Sequence, residues 1–167
     1  IEPTQIIDGT FKGKSFTAKT SEVSNNQAKP PWKDIIISGR VSSDYLFRTA
    51  LANNVLPFLL HEPPIVLLPG KIRKSGQMVM LSSLNMLKDG KLDTAKWFKT
   101  VEELWDANKT ERNKDISNIN WLDYSSKLTK QNFNLPYIVL YTASAKDANA
   151  VVINRSELDL PFVTDHK

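Results

Sequence analysis

The 167-residue chain is 41% hydrophobic and 24% charged, which is enough apolar material for the core of one domain and too little chain for two comfortable ones. It has no cysteine, which excludes disulfides, a thiol nucleophile and thiolate-bound zinc or iron–sulfur clusters, and no apolar run approaches the roughly 20 residues that span a bilayer, so it reads as soluble and cytoplasmic. Its net charge of +4 is uneven, with 11 Lys and Arg against 7 Asp and Glu in residues 1–90 and 11 against 11 in 91–167; a basic excess on one side suits a polyanionic partner.

Along the chain, Ser15 to Val23 alternates, with Phe16, Ala18 and Thr20 on one side, as a half-buried strand does. The polar loop 25–31 ends in Pro30-Pro31. Ile35 to Ser38 reads as a buried strand closed by Gly39, and Ser43 is placed to cap a helix over about 44–54, with Asp44 in its first turn. Leu56–Leu60, Ile65–Leu68 and Met78–Leu81 read as short strands among prolines, a density that favours edge strands and irregular connections. Asp89-Gly90 is a tight-turn dipeptide.

From Asp93 to about Lys109 the period becomes helical. Trp97, Phe98, Val101, Leu104 and Trp105 share one face, and Lys96, Lys99, Glu102, Glu103 and Asp106 take the other. A second helix is expected over 118–131 with Ser117 as its cap. Tyr137–Thr142 and Ala150–Asn154 then form a hairpin, and Phe162–Thr164 is the last strand. Strands and helices interleave without regular βαβ alternation, so the expected fold is α+β, with mostly antiparallel twisted sheet and about three helices.

Chemistry-bearing motifs are weak. Lys29-Pro30-Pro31-Trp32 has the diproline-aromatic shape of amino-methyltransferase loops, but lysine cannot accept the hydrogen bond such a loop takes from the target amine. Asp89-Gly90-Lys91 offers half of a metal-dependent nuclease site and is better explained as a turn. A hydrolase or nuclease needs Asp34, Asp89, Asp123 and His61 to converge in space. His61 and His166 are the only histidines and lie far apart, so no metal site is expected. Trp97 and Trp105 have the spacing of core residues, whereas Trp121 is open.

The densest basic segment is Pro69-Gly70-Lys71-Ile72-Arg73-Lys74-Ser75-Gly76, three cations without an acid between two strands. It lacks the glycine spacing of a P-loop but can reach phosphates or, through Arg73, a guanine edge. Lys127 and Lys130, three apart on the expected second helix, project near one another. Arg40, after the strand at 35–38, is the sixth cationic candidate.

The order Trp121, Tyr124, Lys127, Leu128 and Gln131, then Tyr137 to Ser144, then Phe162 to Lys167 resembles the region beyond the catalytic domain in large bacterial adenine-specific (N6) DNA methyltransferases, including fused restriction-modification enzymes. That region holds the target-recognition domain, and the resemblance covers about the last third of the chain. It implies a DNA-binding domain that catalyses nothing by itself and needs no cofactor of its own. S-adenosylmethionine and methyl transfer would belong to a separate domain of the parent, and the partners would be double-stranded DNA and that catalytic domain. The chain lacks an initial Met and stops just after Phe162-Val163, which also reads as a single domain cut from a larger protein. The alternative is a protein-interaction or scaffold domain whose Pro-rich strands form a docking surface.

Overall fold

The computed structural model describes residues 2–3, 15–21, 28–33, 35–142 and 149–164. Glu2–Pro3 (β1), Ser15–Lys19 (β2) and Ser38–Ser42 (β3) form an antiparallel sheet. In β2, Phe16 and Ala18 are buried while Ser15 and Thr17 are exposed, the predicted pattern of a strand with one wet face. Its register, Phe16 opposite Val41 and Ala18 opposite Gly39, sets β3 three residues later than the apolar run predicts. Ile36 is exposed, and Ile37 packs against the core from outside the strand. The partner strand, rather than local apolarity, chose the segment.

The helix expected over 44–54 does not form. Ser42, not Ser43, caps a single 3-10 turn at Ser43–Tyr45, and Leu46–Arg48 (β4) then continues as a strand. The hairpin Val55–Leu56 (β5) and Leu59–Leu60 (β6) follows, and Ile65–Leu67 (β7) returns to pair antiparallel with β4. Leu46 and Phe47 are both buried, but in different clusters. Consecutive side chains of a strand point to opposite faces, so a strand lying between two cores satisfies both, whereas one helix face cannot. Each such burial contributes about 1.5–3 kcal/mol, well above the few tenths by which helix propensities differ.

Gly70–Ile72 (β8) and Met78–Met80 (β9) form the next hairpin. A short helix, Ser83–Lys88 (α1), was not legible in the sequence; Ser82 caps it, and the Ser83 N–H donates to Glu102 Oε1 at 2.9 Å. Asp89-Gly90 turns, as expected, but as a helix terminus. Gly90 N–H donates to Leu87 O and Lys91 N–H to Met86 O, both at 3.0 Å, the paired bonds that close a helix on a left-handed residue; Gly90 supplies it with φ of 72°.

Leu92–Asn108 (α2) is the predicted amphipathic helix and buries Ala95, Trp97, Phe98 and Trp105. The second long helix is broken. Asn118–Leu122 (α3) has the expected Ser117 cap, but the Asp123 carboxylate then accepts from the N–H groups of Leu128 and Thr129 and from the Thr129 hydroxyl. Ser125 and Ser126 adopt left-handed φ of 56° and 58°, so 124–130 becomes a capped turn. Tyr137–Tyr141 (β10) and Ala150–Asn154 (β11) make the predicted antiparallel hairpin. The expected last strand is reduced to one parallel bridge from Phe162 to Arg48.

The fold is α+β. Among the described residues it has three α-helices and five small antiparallel sheets. Three clusters fill it. The largest lies under α2, around Phe16, Val41, Tyr45, Leu46 and Trp97. The second joins Phe47, Met78, Leu128 and Val163, and the third joins Val55, Val151, Ile153 and Phe162.

Candidate nucleic-acid interface

The basic hairpin is rigidly mounted. Arg73 N–H donates to Gln77 O and Gly76 N–H to Arg73 O, both at 2.9 Å, closing the tip between β8 and β9. Gly76 has φ of 77°, a left-handed conformation that favours glycine, and a Cβ there would also displace the Asn134 side chain, 2.5 Å away. Lys71, Arg73 and Lys74 are all exposed along this turn. With Asp89 they border a concavity of about 310 Å³ over Ile72 and Val79. Lys71 Nζ lies 3.9 Å from Asp89 Oδ2, and both side chains are about half exposed. A surface pair of that length is worth at most about 1 kcal/mol and leaves the lysine available to a stronger anion.

Lys127 and Lys130 belong to the turn that Asp123 caps, not to a continuous helix. Leu128 between them is buried in the second cluster. The Gln131 amide clamps the turn to the C-terminal strand segment, donating to Thr164 O at 2.7 Å and accepting from Thr164 N–H at 3.1 Å. The following residues pair with the basic hairpin: Gln77 bridges Asn132, and Phe133 N–H donates to Gly76 O at 2.7 Å. Two basic segments some fifty residues apart in sequence are thus held side by side on one core.

Arg40 does not join them. It is exposed on β3 beside α2, with its Nε 3.9 Å from Asp93 Oδ2. Trp97 and Trp105 pack into the interior, as their spacing predicts. Trp105 also stacks on Trp32 at 5.8 Å and meets Trp121 at 5.4 Å, which gives the diproline loop's tryptophan a packing role. Asp123 is committed to capping, and Asp34 and His166 lie outside the described residues. Among the described residues no three of His, Asp and Glu converge to hold a metal ion.

A second concavity of about 340 Å³ shares Ile72 with the first and lies between Phe133, Asn134 and the segment 155–162. Arg155 and Asp159 line it. Arg48 occupies both oxygens of Asp159, Nε to Oδ1 at 3.1 Å and Nη2 to Oδ2 at 2.8 Å, and holds that carboxyl below its usual range. Arg155 lies over the Phe133 ring at 5.0 Å. Sequence reasoning missed this site because a lone arginine after a strand carries no local signal. Comparison with protein-family models, curated proteins and solved structures gave no match.

Proposed function

We propose that this chain is a DNA-binding target-recognition domain of a bacterial adenine-N6 DNA methyltransferase or fused restriction-modification enzyme. It grips duplex DNA, and methyl transfer from S-adenosylmethionine belongs to a separate catalytic domain. The observation that carries the reading is the junction of the hairpin bearing Lys71, Arg73 and Lys74 with the turn bearing Lys127 and Lys130. The two segments are joined through Gln77 with Asn132 and Phe133 with Gly76, and cations carried by both would suit DNA, because phosphate neutralisation dominates nucleic-acid affinity. Arg40, on β3 beside Asp93, lies apart from these two segments and is not counted among the contacts. Fluorescence anisotropy with mixed-sequence duplex tests the reading. The wild type is expected to bind and to weaken steeply with salt, and reversing charge at Lys71, Arg73 and Lys74 is expected to weaken binding severely. Unchanged affinity at low salt in that variant would remove the hairpin from the interface.

The alternative, a protein-interaction domain, is favoured by one observation. The outward face of the β10–β11 hairpin presents Tyr137, Val139, Tyr141 and Val152, and Phe58 at the β5–β6 turn is 93% exposed. Phe58 N–H donates to Ala150 O at 3.0 Å, so the turn meets the edge of β11. An exposed apolar patch of this kind marks a contact surface, and its affinity for a partner would be far less salt-sensitive than DNA binding. Absence of DNA binding at low salt would favour this reading. No helix among the described residues is long and apolar enough to cross a membrane.

A further inference from the structure

The cavity beside Phe133 contains a cation that no carboxylate among the described residues compensates. Its one carboxylate, Asp159, is neutralised by the two-pronged contact from Arg48. Among the described residues, no carboxylate pairs with Arg155. Its Nη1 donates to the Phe162 carbonyl at 3.1 Å, and its buried Nε has no hydrogen-bond partner. Burial lowers the affinity of this guanidinium for its proton, and no neighbouring acid offsets that. A guanidinium partly withdrawn from water is ordinarily paired, and among the described residues no carboxylate fills that place, which leaves it open to an anion from solution.

The position narrows the class of anion. Ile72 lines both this cavity and the concavity under Lys71, Arg73 and Lys74, so the two share a wall. Asn134, on the cavity wall, adds an amide able to donate. With Nη1 on the Phe162 carbonyl, Nη2 is the guanidinium group left to an anion, and a charged donor with an amide on the same cavity wall suits a phosphate.

We propose that the cavity is a phosphate seat, in which Arg155 and Asn134 hold one backbone phosphate of a duplex whose neighbouring phosphates lie over the basic hairpin. The seat rests on the DNA-binding reading for the source of its phosphate, but not for its chemistry, and two measurements separate them. The first is thermal unfolding in inorganic phosphate against chloride at matched ionic strength. Phosphate is expected to raise the Tm of the wild type and to leave that of Arg155→Gln unmoved. The second is the salt dependence of duplex affinity, where Arg155→Gln is expected to reduce the slope of log K against log salt by about 0.9, the loss of one neutralised phosphate. Arg155→Lys should keep the slope at weaker affinity.

Because Arg155 also braces Phe133 and Phe162, Asn134→Asp at an exposed position serves as a second variant. Its added carboxylate should repel phosphate or take its place on the guanidinium, abolishing the phosphate effect while leaving the Arg155 contacts to Phe133 and Phe162 in place. No phosphate-induced shift in the wild type, with a normal slope in Asn134→Asp, overturns the seat and leaves the DNA reading standing. A phosphate shift lost in the variants, with no duplex binding by the wild type, supports the seat and overturns the DNA reading.

Discussion

Arg48 holds three acceptors at once, both oxygens of Asp159 and, through Nη1 at 2.7 Å, the Pro63 carbonyl. One side chain thereby ties β4 to the loop before β7 and to the C-terminal segment. The Arg48 hydrogen bond is the main reason the Asp159 carboxyl stays below its ordinary range. A carboxyl depressed in the fold contributes stability that is present above the ordinary aspartate value and is lost as pH falls through the lowered native one. Asp159→Asn should therefore lower Tm at neutral pH and converge on the wild type in acid. Equal Tm values at pH 7 would show that the pair is offset by solvent. Tyr45 titrates at the opposite end: burial first, then Asp89 and Asp44, raise its phenol, so its contribution fades only as pH climbs through the raised native value.

At the scale of elements, the contest between α3 and the turn after it shows how one side chain redirects a backbone. Residues 118–131 carry helical spacing, but Asp123 offers two oxygens to three donors in 128–129. Asp is a poor interior helix former for this reason, since it competes with the ladder. Asp123→Ala removes those bonds and should cost about 2 kcal/mol in denaturant unfolding, as expected for hydrogen bonds to a charged group. Because the same turn presents Lys127 and Lys130, DNA affinity should fall with it at temperatures where the domain remains folded. A stability change under about 0.5 kcal/mol would mean that Leu128 and the Gln131 clamp hold the turn alone.

Across the whole molecule, charge is distributed by region. The hairpin and the 127–130 turn place five candidate cations on the second cluster, while the β10–β11 face is apolar. If each of the five neutralises one phosphate, together they should contribute about −4.5 to the slope of log K against log salt. Alanine at Lys127 and Lys130 should reduce that slope by about 1.8, and alanine at Arg40, away from the cluster, should leave it within experimental scatter. A slope near zero in the wild type would transfer the weight to the apolar face.

The sequence by itself determined the local pieces: the alternation of β2, the wet and dry faces of α2, the Ser117 cap, the β10–β11 hairpin and the α+β class. Each is written in residues a few positions apart, where periodicity and capping act. It also exposed the basic run at 71–74, because composition alone marks it. Only the tertiary structure decided that Leu46 and Phe47 lie in a strand between two cores, and that Gln77 meets Asn132 and so brings two basic segments together. It alone placed Arg155, with no carboxylate partner among the described residues, in a cavity lined by residues from three parts of the chain. Such contacts depend on the summed burial of side chains distant in sequence, which outweighs the local preferences that a single stretch records.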